Sequence, residues 1–161
     1  MTTTLCPVCG GGPLVSSPYT QTFRRAGATF RWQFPAWLCA TCGEWQMPIV
    51  PTGLPDALAV RALGALGPLG PEAVRLALSC LGLDMQDAAD LLDVTVDEVI
   101  GWCDGKLAVP RVHDVVLLEL VNDAITGSTV TRDRLQGAVA SRPLPSVIDL
   151  GTFATRSHGR E

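Results

Sequence analysis

The chain has 161 residues, 47% of them hydrophobic, which suits one ordinary domain or two small ones and allows a real core. A net charge of −4 and a pI near 5.1 argue against a general nucleic-acid binder. No run of about eighteen apolar residues is present, so no membrane span is expected. The charge is unevenly placed. Residues 1–50 carry Arg24, Arg25 and Arg31 against Glu44, and residues 126–161 carry five arginines against three acids. Between them, residues 70–125 carry Arg75, Lys106 and Arg111 against eleven acids.

The first predicted element is a knuckle, Cys6-Pro7-Val8-Cys9-Gly10, followed by a second, Cys39-Ala40-Thr41-Cys42-Gly43, with twenty-nine residues between the two cysteine pairs. In each, two thiolates point to one side of a tight turn that its glycine permits. Two knuckles brought together make a closed tetrahedral four-sulfur site, the geometry of structural zinc. Cys6, Cys9, Cys39 and Cys42 are therefore the predicted metal ligands, with no position left open for substrate. Disulfides are disfavoured because Met1-Thr2-Thr3-Thr4 has no apolar run to begin a signal peptide. A thioredoxin-like pair lacks its βαβ setting, and a zinc deaminase lacks its His-x-Glu. Rubredoxin-type iron is the remaining rival.

After the loop Gly10-Gly11-Gly12-Pro13, Leu14–Arg24 reads as a strand, Arg25–Ala28 as a turn and Thr29–Leu38 as the return strand. Phe30, Trp32 and Phe34 alternate there with Arg31 and Gln33. A third strand is expected over Glu44–Val50. Tyr19, Phe23, Phe30, Trp32, Phe34, Trp37 and Trp45 all fall in the first fifty residues. In so small a module most of these rings should form the ribbon core. One or two left exposed would offer a stacking surface for bases or a face for a protein partner.

Pro51–Pro55 reads as a linker. Asp56 is placed to cap a short helix over Ala57–Leu66, weakened by Gly64 and Gly67 and expected to connect rather than to fill a core. A helix then runs Pro71–Leu81 with Gly82 as its C-cap. Asp84 caps a second over Met85–Leu92. The turn Asp93-Val94-Thr95 leads into a capping box, Thr95 with Glu98, and a third helix to Gly105. Pro110 opens a fourth, to about Asn122. Short helix, tight turn and second short helix make the helix-turn-helix plan. Thr131–Val139 is a further helix, and the chain from Arg142 reads as a mobile tail. Cys80 and Cys103 lie on apolar helical faces as small core residues. His113 and His158 have no nucleophile with an orienting acid, so no enzyme is expected.

A CPxC knuckle, an aromatic hairpin, a second CxxC and a C-terminal helix-turn-helix together resemble the MqsA/YgiT-type zinc-finger antitoxins and transcriptional regulators. The stretch Leu83–Val94 is similar to the L-x-x-Q-x-x-A-x-x-L-x-V of their Xre/Cro-type domain. Trp102-Cys103-Asp104-Gly105-Lys106 is similar to the motif that closes their recognition helix. The resemblance covers residues 5–123. It implies a zinc ribbon that grips a partner toxin or dictates assembly, and a dimer that binds operator DNA. Where the family places an Asn and then an Arg in the recognition helix, this chain has Asp97 and Gly101. Gln86, Thr95, Lys106 and Arg111 remain to contact DNA. On helix propensity alone, Gly101→Arg is expected to be tolerated.

The expected whole is an α+β chain: a zinc ribbon over 1–50, a linker with a short helix over 51–70, a helix-turn-helix domain over 71–125, and a last helix and tail over 126–161. It is expected to be cytoplasmic, to hold one structural zinc, and to act as a homodimeric DNA-binding regulator or antitoxin. A protein-interaction adaptor that keeps the fold without its DNA chemistry is the other reading.

Overall fold

The computed structural model describes residues 5–139 as a three-stranded antiparallel sheet followed by six helices. The sheet order is β1 (Leu14–Arg25), β2 (Ala28–Cys39), β3 (Trp45–Gln46). Strands β1 and β2 are twelve residues each and pair along their whole length, from Leu14 opposite Cys39 to Arg25 opposite Ala28. The turn is therefore two residues, Ala26 and Gly27, both at positive φ (46° and 74°). That is the mirror-image turn whose twist matches a hairpin. Pro18 faces Pro35 across the ladder. Neither can donate, so this pair falls where the ladder makes no hydrogen bond.

With this register, Tyr19, Phe23, Phe30, Trp32 and Phe34 share one face of the ribbon. Tyr19 meets Phe34 and, edge-on, Trp45, with ring centroids 5.7 and 5.1 Å apart. Phe23 stacks on Phe30 at 5.7 Å, and Trp32 tilts against Phe34 at 4.5 Å. Only Phe34 of these rings is buried; the others are half-buried, and Trp37, on the opposite face, is exposed. Strand β3 is much shorter than Glu44–Val50. It pairs only at Trp45 and Gln46, because Pro48 has no amide to extend the ladder.

The helices are α1 (Leu54–Gly64), α2 (Pro71–Leu81), α3 (Met85–Leu92), α4 (Val96–Asp104), α5 (Arg111–Thr126) and α6 (Val130–Val139). Helix α1 corrects the expectation of a connecting helix in two respects. It starts earlier, after Gly53 and with Pro55 in its first turn. Asp56 is thus not the cap; its carboxylate accepts from Arg25 Nε at the hairpin tip. Moreover, Ala57, Ala59 and Val60 are fully buried, and α1 packs on α2 and α5. Gly64 belongs to this packing, since a Cβ there would overlap the side chain of Leu118 on α5.

The helical core gathers Val60, Val74, Val99, Trp102, Leu117 and Val121, closed by alanines of α2 and α3. Asp114 is buried at its edge, and one carboxylate oxygen accepts from the Leu69 amide at 2.9 Å. This bond ties the Gly67–Pro71 loop to the first turn of α5. Cys103 is buried and Cys80 half-buried against the core. Burial raises both thiols, Cys80 to about 11, so neither is a ready thiolate. The tail from Arg142 lies outside the described residues. Among those described, no helix is long and apolar enough to cross a membrane.

Candidate metal centre

The two knuckles are built alike. The Cys6 amide donates to the Gly12 carbonyl at 3.0 Å, and the Gly10 amide donates back to the Cys6 carbonyl at 2.9 Å. In the second, the Cys39 amide donates to the Glu44 carbonyl at 2.9 Å, and the Gly43 amide to the Cys39 carbonyl at 3.0 Å. Gly10 and Gly43 close the turns at φ of 64° and 72°, where a side chain would be strained. The hairpin sets the spacing. Its return strand ends at Cys39, opposite Leu14, and so lands the second knuckle on the residues that follow the first.

All four Sγ atoms lie within 4.8 Å of one another. Two cross-knuckle edges are 3.8 Å (Cys6 to Cys42) and 3.7 Å (Cys9 to Cys39). A metal–sulfur bond of about 2.3 Å puts the sulfurs of a tetrahedron about 3.8 Å apart. A disulfide needs about 2.05 Å. The four cysteines are thus free thiols positioned to hold a metal ion. Cys6 and Cys39 are buried, while Cys9 and Cys42 face solvent.

The thiols also show why a cation suits the cluster. The Cys42 amide, directed at Cys39, holds that thiol down to about 6 against the resistance of burial. At Cys42 the Glu44 amide favours the thiolate, but the neighbouring thiols of Cys39, Cys9 and Cys6, together with desolvation, outweigh it and push Cys42 up to about 12. Four thiolates this close repel one another unless a positive charge sits between them.

Gly12 and Thr41 are site residues that the loop reading of Gly10–Pro13 did not single out. A Cβ on Gly12 would overlap the Thr41 hydroxyl, lie 2.8 Å from Thr41 Cβ and lie 3.1 Å from Cys39 Sγ. Only glycine lets the first knuckle's loop pass this close to the second. The run of three glycines was the available signal.

The structure places the four residues expected to contact DNA on or beside the helix-turn-helix pair α3–α4, all exposed. Gln86 Nε2 donates to Asp90 Oδ1 at 2.8 Å. Thr95 is consumed in a complete capping box: its side chain accepts from the Glu98 amide, and its amide and hydroxyl each donate to Glu98 Oε2 at 2.8 Å. Lys106 Nζ pairs with Asp104 Oδ2 at 2.9 Å. Arg111 opens α5 with no ion pair among the described residues. The outward side of α4 carries Asp97, Glu98, Ile100 and Asp104.

Gly101 is not the open surface position that propensity implied. It is buried, and a Cβ there would come within 2.7 Å of Leu107 Cδ1 and 2.9 Å of its Cγ. Its carbonyl accepts from both the Lys106 and Leu107 amides, which fold the following loop over it. An arginine at 101 would have to displace the side chain of Leu107, which is exposed on the other side. His113 packs against Trp102, with ring centroids 5.3 Å apart.

Fold and site together define an α+β chain with four cysteines on a hairpin positioned to hold a metal ion, and a helix-turn-helix pair beyond it. Compared with known proteins, the chain matches no family model and no curated protein.

Proposed function

We propose that this protein is a cytoplasmic, non-catalytic DNA-binding regulator whose ribbon is held by one structural zinc. Cys6, Cys9, Cys39 and Cys42 would hold the ion, which closes the ribbon and supplies folding free energy. The single observation that carries the DNA-binding half is helix α4. It is nine residues long, reciprocally capped at its start, buried along Val99, Trp102 and Cys103, and exposed along the other side. That is what a helix presented to a groove requires. On the resemblance to the MqsA/YgiT type, the reading extends to the antitoxin of a toxin–antitoxin pair.

Electrostatics sets the conditions. Each phosphate contact by Lys or Arg releases counterion and gives binding its salt dependence. With three basic residues against eleven acids over 70–125, one subunit makes few such contacts. A homodimer doubles them and sets two copies of α4 about 34 Å apart along the duplex. The test is a gel shift and sedimentation series on the DNA upstream of the protein's own coding sequence. Binding at low salt that depends on dimerisation supports the reading. No shift on any fragment at low salt refutes it.

A second reading, a protein-interaction adaptor, is favoured by one specific observation. Carboxylates already engage Gln86, Thr95 and Lys106, three of the four side chains available to DNA. Capture of a defined protein partner through α3–α4, without DNA binding, is its signature.

A further inference from the structure

The hairpin tip and α1 enclose a groove of about 300 Å³ that neither the metal centre nor the α3–α4 pair uses. Phe23, Phe30 and Trp32 line one wall, and Leu58 and Ala62 of α1 line the other. Arg31 and Arg61 also line it. We propose that this groove binds a single-stranded nucleic acid, with bases against the three rings and phosphates on Arg31 and Arg61.

Charge is the first argument. Arg31 and Arg61 are exposed and have no ion pair among the described residues. Arg25 is different. It is spent on Asp56, and its guanidinium lies 5.7 Å over the Phe23 ring, so it holds the groove's two walls together. The helices beyond are acidic, with eleven acids against three basic residues over 70–125. A polyanion is therefore repelled from most of the helical surface and admitted at the ribbon–α1 side.

Chemistry is the second. The three rings are half-buried, although they belong to the ribbon's packed face, because α1 stands off from them. Rings beside unpaired arginines offer what an unpaired strand needs: stacking partners that tolerate any base, and cations for its backbone. A duplex keeps its base faces stacked inside and cannot use such a wall. An acidic apolar peptide could answer the same charge, but it gains less from a wall of rings than a base does. The groove's size is at the small end for ligand pockets and suits one or two bases, not a folded partner.

The experiment uses the full-length metal-bound protein and fluorescein-labelled twelve-nucleotide probes: oligo-dT, oligo-U, and a blunt duplex of the same length. A labelled Glu/Leu-rich peptide of similar charge is the competing probe. Anisotropy and quenching of tryptophan fluorescence are read together. The expected result is single-strand binding with quenching. Two phosphate contacts give a log–log salt slope of about −1.4, so affinity falls about sevenfold between 50 and 200 mM salt. Arg31→Glu with Arg61→Glu should weaken it at least about tenfold, and Arg31→Gln with Arg61→Gln should weaken it less. Arg132→Gln on α6, outside both the groove and the α3–α4 pair, should leave it unchanged. Duplex binding that the two arginine pairs weaken as much as single-strand binding, unchanged single-strand affinity in both arginine pairs, or binding of the peptide in place of the oligonucleotides would each overturn the proposal.

Discussion

Replacing Gly12 by alanine adds one methyl group where the two knuckles touch. Its carbon would sit 2.8 Å from Thr41 Cβ and 3.1 Å from Cys39 Sγ, against about 3.5–4.0 Å for comfortable contact. Both neighbours are held: Cys39 by the ladder and by its Glu44 bond, Thr41 by the turn between two ligands. The strain must go into the sulfur tetrahedron or into the loop. Overpacking of this kind costs about 1–3 kcal/mol, which is about 5- to 150-fold in metal affinity. Competition against a chromophoric chelator measures it directly. Thr41→Gly in the Gly12→Ala background removes both Thr41 atoms and leaves only the milder approach to Cys39 Sγ, so it should recover most of the loss. An alanine variant that holds metal as tightly as the parent, or a double variant that recovers nothing, would refute the packing argument.

Asp114→Ala leaves the Leu69 amide without its acceptor at a buried site, which should cost about 1–3 kcal/mol and lower the melting temperature of the helices without touching metal content. The Glu98 carboxyl lies below the ordinary value of 4.5, first because of the Thr95 amide and then its hydroxyl. A lowered folded value means stability that is present above the unfolded value and lost as pH falls through the folded one. Between pH 5 and pH 3 the parent should therefore lose more helix stability than Glu98→Gln, as read by thermal melts at each pH; equal losses would argue against the cap's role. Chelation should disorder the ribbon while far-UV circular dichroism still reports the helices of 71–123. A single cooperative loss of both would mean that the Arg25–Asp56 tie and the α1 groove fuse them into one unit.

The helices from α2 to α4 were legible because their ends carry local chemistry, whereas α5 runs on to Thr126, past the expected end near Asn122. Pro71 and Gly82, Asp84, and the Thr95–Glu98 box each act within a turn of the chain, and the structure starts and stops the elements there. The four cysteines were legible for a related reason: knuckle spacing fixes local geometry, and the hairpin only has to close. What escaped depends on partners distant in sequence. The alanines of α1 look weakly apolar, yet they are small enough to let α1 settle against α2 and α5. Asp56 looked like a cap, but an arginine thirty-one residues earlier claims it. Gly12 and Gly101 looked like a loop residue and an open helix position. Their reason lies in Thr41 and Leu107, which only the folded chain brings near. The side chains expected to touch DNA lie on the surface; of their carboxylate partners Glu98 beside Thr95 was read from the sequence, but Asp90 beside Gln86 and Asp104 beside Lys106 were not.

The central claim, that the fold is closed by structural zinc at Cys6, Cys9, Cys39 and Cys42, is tested most directly by elemental analysis of the purified protein alongside a Cys39→Ser variant. The account predicts about one zinc per chain in the parent, and loss of both the metal and the ribbon's structure in the variant. A red protein containing iron with visible charge-transfer bands would contradict it, and so would metal-free protein with its four ribbon thiols joined in disulfides.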